Sequence, residues 1–189
     1  MNIRLLLSEI VRDVLEAIEP HLPRPRVIWD RAGESPYLSR YYLFGGPRSK
    51  NGPVFDDKGS PLESTIWRDL PVNLYLHKFH RGDDDLAAHS HPWRWALSFV
   101  LVGGYSEERR VPANSRPWKM EWRLVRPLSF NFIKSDDFHR VELIEKDCWS
   151  LFLAGPKADT WYFWDRDTGE TIPWREFIFK RRGGAFEET

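Results

Sequence analysis

The sequence predicts an all-β sandwich or barrel preceded by one amphipathic helix. From Asn73 onward, short β-branched and aromatic runs alternate with Gly, Pro and Asp turns, the pattern of successive strands. Apolar residues at helical spacing mark the N-terminus. Large rings are abundant, 15% of the chain with ten tryptophans, which suits cores, barrels and ligand pockets.

In chain order, Ile3, Leu6, Leu7, Ile10, Val11, Val14, Leu15 and Ile18 recur on one helical face and Pro20 closes the segment. A helix over 2–19 is therefore expected, its apolar face covering a sheet or a barrel end. Glu9, Arg12 and Asp13 interrupt the apolar run and speak against a signal peptide. Between Pro20 and Pro71, Pro and Gly punctuate short apolar pieces at 27–29, 41–44 and 64–67, read as hairpins and loops. Strands follow at 73–80, 93–102, 118–125, 128–133, 140–144, 149–154 and 160–164. The terminal "IPWREFIFKRRGGAFEET" reads as a last strand or short helix and a frayed tail over 183–189.

A chain of 189 residues suits a single domain, 1–189. Lys plus Arg equals Asp plus Glu at 28 each, so no net field draws the protein onto a polyanion and nucleic acid is not indicated. The apolar run at 97–102 falls far short of the roughly 20 residues of a membrane helix. A soluble protein with no membrane partner is expected. Cys148 is the single cysteine and forms no intramolecular disulfide, which fits a reducing cytoplasm. With no histidine near it in sequence, it makes a poor nucleophile. Walker, dinucleotide-binding and G-x-S-x-G patterns are missing.

The chemistry-bearing stretch is "LAAHSHPWRWALSFVLVGGY". Strand alternation puts His89 and His91 on one face with Trp93, Trp95, Leu97, Phe99 and Leu101, opposite the smaller or more polar Ser90, Arg94, Ala96 and Ser98. The imidazoles are thus expected to face the interior, where neutral rings suit a borderline divalent metal. His139, in "SDDFHRVELI", is the candidate third ligand. Val141 and Leu143 share its face, whereas Arg140 and Glu142 point away, which makes Glu142 a poor ligand.

Other residues are weighed beside these. His77 and His80 lie on opposite faces by parity, so only one looks inward, and His77 is a candidate to orient a ligand or substrate. Asp83, Asp84 and Asp85 form an acidic turn that reads as a solvated loop, or as the place where Asp85 accepts a ligand histidine's N–H. Arg40, Tyr41 and Tyr42 suit a pocket mouth, with Arg40 matched to a carboxylate or phosphate, and suit an exposed edge strand equally well. Trp93, Trp95, Trp149, Trp161 and Trp164 are expected to fill the barrel, and Trp95 also to line a pocket.

The segment "GDDDLAAHSHPWRWALSFVLVGG", with Gly82, His89, His91 and Gly103 or Gly104, and the segment "RPLSFNFIKSDDFHRVEL", with Pro127 and His139, resemble the two motifs of the cupin superfamily. More narrowly, "DDDLAAHSHPW", "GGY", "HRVEL" and "IPWREF" resemble a group of small cupin-like proteins of bacteria and phages. The resemblance spans about 73–165 and implies a jelly-roll barrel with His89, His91 and His139 as metal ligands. Two departures stand out. The usual cupin glutamate would fall at Trp95 or Ala96, and the asparagine that often closes the second motif is Leu143.

What remains is similar to the three-histidine face of cysteine dioxygenase and its relatives. Without a carboxylate ligand the ion keeps its double charge and favours anionic co-ligands. The resemblance therefore implies a mononuclear Fe(II) dioxygenase acting on a small, anionic substrate. Zinc or nickel at the triad would instead support a metal-dependent isomerase, epimerase or hydrolase, and a non-catalytic small-molecule-binding cupin is the third reading. Pairing into a homodimer is the expectation for such barrels.

Overall fold

The alternating segments close into two facing antiparallel sheets. The computed structural model describes residues 3–30, 33–48, 54–56, 58–62, 66–68, 70–83, 87–113 and 118–181. Helix α1 (Ile3–Ile18) runs into a 3-10 turn at Glu19–His21, where Pro20 ends it. Then come β1 (Arg26–Trp29), β2 (Pro36–Phe44), β3 (Gly46–Arg48), β4 (Ile66–Arg68), β5 (Asn73–Phe79), β6 (Ala88–His89) and β7 (Trp95–Val102). These are followed by β8 (Tyr105–Pro112), β9 (Trp118–Val125), β10 (Ser129–Lys134), β11 (His139–Leu143), β12 (Cys148–Ala154), β13 (Tyr162–Trp164), β14 (Thr171–Pro173) and α2 (Trp174–Arg181).

One six-stranded sheet has the order β1-β2-β5-β12-β7-β10, the other β14-β13-β6-β11-β8-β9, and β3 pairs with β4 apart from both. The non-sequential neighbours are those of a jelly roll. Val100 and Cys148 of the first sheet meet Tyr105, Val125 and Val141 of the second, so the core lies between the layers. The β7–β8 turn needs glycine, because Gly103 has φ +72° and a Cβ there would collide with the Asp147 carbonyl oxygen. Among the described residues no helix is long and apolar enough to cross a membrane.

Three expectations are corrected here. First, α1 forms as expected but docks along one edge of the expected apolar face, through Leu15 and Val11 together with Ser8 and Arg12. Ser8, Arg12 and Leu15 are buried against the first sheet, while Ile3, Leu6, Leu7, Ile10 and Val14 are exposed. The docked stripe is fixed by polar contacts: Arg12 pairs with Asp147 and, at 2.6 Å, with Glu145, both in the β11–β12 loop. Ion pairs between a helix and a loop distant in sequence leave no apolar period to read.

Second, the parity count through the histidine segment breaks at Pro92. His89 ends β6 in one sheet, residues 90–94 cross to the other sheet, and β7 restarts the alternation. The inward set of β7 is Ala96, Ser98 and Val100, all buried; Trp95, Leu97, Phe99 and Leu101 occupy the half-buried outer face, and Val102, past a register shift opposite Trp149, packs with Leu15 beneath α1. Trp95 lies over Gly155 on that face and does not line the cavity.

Third, β8 falls in 105–112, where no strand was expected, because its "YSEERRVP" is charged rather than apolar. The terminal segment forms both a short strand, β14, and a helix, α2, while the tail over 183–189 and part of the 64–67 piece lie outside the described residues.

Candidate metal centre

The site is assembled from two neighbouring strands and one crossover. His89 on β6 and His139 on β11 are direct cross-strand partners, so their side chains leave the sheet on the same face. His91 follows β6 by two residues and is held by the backbone around it. Ser90 donates its N–H to the Tyr162 carbonyl at 2.8 Å, and its hydroxyl accepts the Tyr162 N–H at 3.0 Å. Beyond it, the Pro92 carbonyl accepts the Ala158 N–H at 2.7 Å. The His91 ring stacks on Trp93 at 5.8 Å.

Ring centroids lie 5.3 Å apart for His89–His91, 5.3 Å for His89–His139 and 5.0 Å for His91–His139. One ligand nitrogen from each lies within 4.8 Å of the others, and Nε2 of His91 is 2.8 Å from Nε2 of His139. Imidazoles bound about 2.0–2.1 Å from one ion sit roughly 3–4 Å apart, so small side-chain rotations close this cluster around a cation.

The protonation of the rings suits that role. Burial pushes the His89 imidazolium down to about 4, and burial together with its two histidine neighbours holds His91 well below the usual range. Both are neutral at pH 7. His139 has its tautomer set by Glu107, whose Oε1 lies 2.5 Å from its Nδ1. Burial works against the charge on Glu107, but bonds from His139, Arg109 and Arg123 outweigh it and keep the carboxyl well below the ordinary carboxylate range. An ionised carboxylate only accepts, so Nδ1 of His139 carries a proton and Nε2 is the ring atom turned to the centre.

Behind Glu107 stands a closed network. Arg109 Nη2 donates to Oε1 at 3.0 Å, Arg123 Nε donates to Oε2, and Asn131 Nδ2 donates to Oε1 at 3.0 Å and to the Tyr105 hydroxyl at 2.9 Å. His89 has its own carboxylate: Asp83 Oδ2 lies 3.9 Å from its Nδ1. Asp83 in turn accepts the Tyr37 hydroxyl at 2.6 Å and the Val141 N–H at 2.7 Å.

The cluster opens into a cavity of about 1250 Å³ between the sheets, whose walls include Arg40, Tyr75, His77, Trp93, Phe152 and Trp161. Arg40 and His77 are thus placed on the cavity, and parity correctly separates His77 from His80, which meets Ser39 at 2.9 Å. Tyr41 is corrected. It lies on the opposite face of β2 from Arg40, buried under α1, where it stacks on Trp149 and donates to Glu19 at 2.8 Å. Alternation along one strand places Tyr42, not Tyr41, beside Arg40.

Of the tryptophans, Trp93 and Trp161 line the cavity, Trp149 sits beneath α1, and Trp164 packs with Ala88 and Phe138. Asp85 lies outside the described residues, among which Asp83 is the carboxylate near His89. Glu107 was missed because its strand was missed. Cys148 is buried with its thiol pushed up to about 12, which leaves it unreactive.

No protein-family model matches the sequence, and neither does any curated protein. Solved structures do. The DMSP lyase DddQ from Ruegeria pomeroyi aligns at 19% identity over 66% of this chain and 49% of its own, with a TM-score of 0.39. A structure of the DMSP lyases RdDddP and RnDddQII aligns at 16% identity over 78% and 64%, with a TM-score of 0.48. KdgF from Halomonas sp. aligns at 15% over 66% and 85%, with a TM-score of 0.40. The chain spans less than two thirds of the length of either lyase structure. Two antiparallel sheets enclosing a histidine-lined cavity make the chain a jelly roll with a three-histidine candidate metal site.

Proposed function

We propose that the protein is a mononuclear metal-dependent cupin enzyme, and that its chemistry is that of an Fe(II) dioxygenase acting on an anionic substrate. The observation that carries this reading is the donor set: three imidazoles and, among the described residues, no carboxylate within the cluster, facing a large cavity. A divalent ion held there would keep its full charge and have positions open to an anionic substrate and O2. The chain's own residues do the rest. His89, His91 and His139 would bind the ion, Glu107 and Asp83 orient two of those rings, and Phe152 and Trp93 shield the centre from water.

A metal-dependent isomerase on the same barrel would need a free base. His77, the non-ligand histidine of the cavity, has Nε2 bonded to Arg40 and Nδ1 buried, which weighs against that alternative.

The test is metal analysis of untagged protein followed by oxygen uptake. One transition ion per chain is expected, falling to near zero in His139→Ala. With Fe(II) restored, oxygen consumption should appear with at least one member of a panel of thiols, enediols and keto acids. Absence of a bound ion defeats the reading, and a bound ion without uptake on any of them shifts it to Lewis-acid chemistry.

A further inference from the structure

Among the described residues the cavity holds a cation, Arg40, with no acidic partner. Arg40 points inward from β2, and among the described residues no carboxylate pairs with it. Its polar contact is a neutral one: Nε donates to Nε2 of His77 at 2.9 Å. The guanidinium carbon sits 5.1 Å from the Tyr75 ring centre and 5.6 Å from that of Trp93. Cation–π contacts of this kind offset part of the desolvation of a guanidinium but leave its charge uncancelled. Other inward arginines of the barrel differ. Arg109 has Glu107 and Asp137, each at 3.0 Å, and Arg123 has Glu107.

His77 makes this a built arrangement. Its side chain is buried, lies against the Phe152 ring at 4.8 Å, and spends Nε2 on Arg40 Nε. Burial, with the Arg40 charge beside it, keeps His77 neutral, so Nε2 acts as acceptor. A protonated imidazole there would repel the arginine. With Nε engaged, the end of the guanidinium that carries Nη1 and Nη2 stays available, and that edge grips two oxygens of one oxyanion.

Two aromatic side chains connect the surroundings of Arg40 with the triad. The Trp93 ring centre lies 5.6 Å from the Arg40 guanidinium carbon, and the same ring stacks on His91 at 5.8 Å. Phe152 touches both His77 and, at 6.2 Å, His91. Arg40 and the histidines thus line one cavity and share aromatic neighbours in its wall.

We propose that Arg40 is the anion anchor of this cavity, positioned by His77, and that the substrate carries a carboxylate head held there while its other end reaches the three histidines. The inference deepens the metal-enzyme reading and rests on it for the reacting end, although anion binding at Arg40 needs no metal. The Tyr75, Trp93 and Phe152 rings favour an apolar or conjugated body next to the head.

The test compares a matched anion and neutral isostere, benzoate and benzamide, by calorimetric titration into metal-free and Zn(II)-loaded protein, with phenylphosphonate as a third probe. Metal-free wild type should prefer benzoate to benzamide by about tenfold or more, the range of a charge-assisted bond. Arg40→Gln should abolish the preference while still binding benzamide and one Zn(II). Arg40→Lys should retain part of the preference, since it keeps the charge but not the fork, and serves as the readout if the glutamine variant does not fold. Phenylphosphonate winning over benzoate in an Arg40-dependent way would keep the anchor and replace the carboxylate by a phosphoryl head. No preference in wild type, or a preference that survives Arg40→Gln, overturns the proposal. An Arg40-dependent preference in a protein that binds no Zn(II) would defeat the metal reading and leave the anchor standing.

Discussion

Glu107 is the residue on which the site's geometry turns. It is fully buried, with its two oxygens shared among His139, Arg109, Arg123 and Asn131, so it holds a charge in the interior by complete pairing. Because it fixes the tautomer and direction of one ligand ring, Glu107→Gln should weaken metal binding by roughly ten- to a hundredfold, read by competition with a chromophoric chelator. Unchanged affinity would show that His139 needs no such partner. The histidines themselves were legible, because a His-x-His pair and a distant His on apolar-patterned strands have few structural uses. Glu107 was not, since its meaning comes from facing His139 across a sheet, and no spacing in the sequence encodes that pairing.

At the level of elements, the strands with apolar alternation could be read and the one with charged alternation could not. Tyr105, Glu107 and Arg109 all point inward along β8, the reverse of the polar-out pattern that signals a strand. The second lapse in the reading, at Pro92, has a similar origin: alternation holds within a strand and is lost where the chain changes sheets. Helix α1 tests the docking described above. Leu15 is 6% exposed and packs with Tyr41, Leu76, Val102 and Trp149, whereas Ile10 is 52% exposed. Leu15→Ala should cost about 2–5 kcal/mol in urea unfolding, and Ile10→Ala less than about 0.5 kcal/mol beyond helix propensity. Equal losses would mean that the helix docks through its broad apolar face instead.

In the whole molecule, the jelly roll brings a cross-strand pair and a sheet-to-sheet crossover to one point and leaves a cavity beside it. That convergence was legible only as far as three histidines sharing an interior; the Glu107 carboxylate behind His139, and an Arg40 whose bond is to His77 rather than to an acid among the described residues, emerge once the sheets face each other. The account stands on three imidazoles binding one ion. X-ray absorption at the metal edge of Zn(II)-loaded, untagged protein tests this directly. The account predicts three imidazole nitrogens at about 2.0–2.1 Å, with light oxygen donors completing the shell. A first shell of oxygens without imidazole scattering, or the same histidine count in His139→Ala as in wild type, would contradict it.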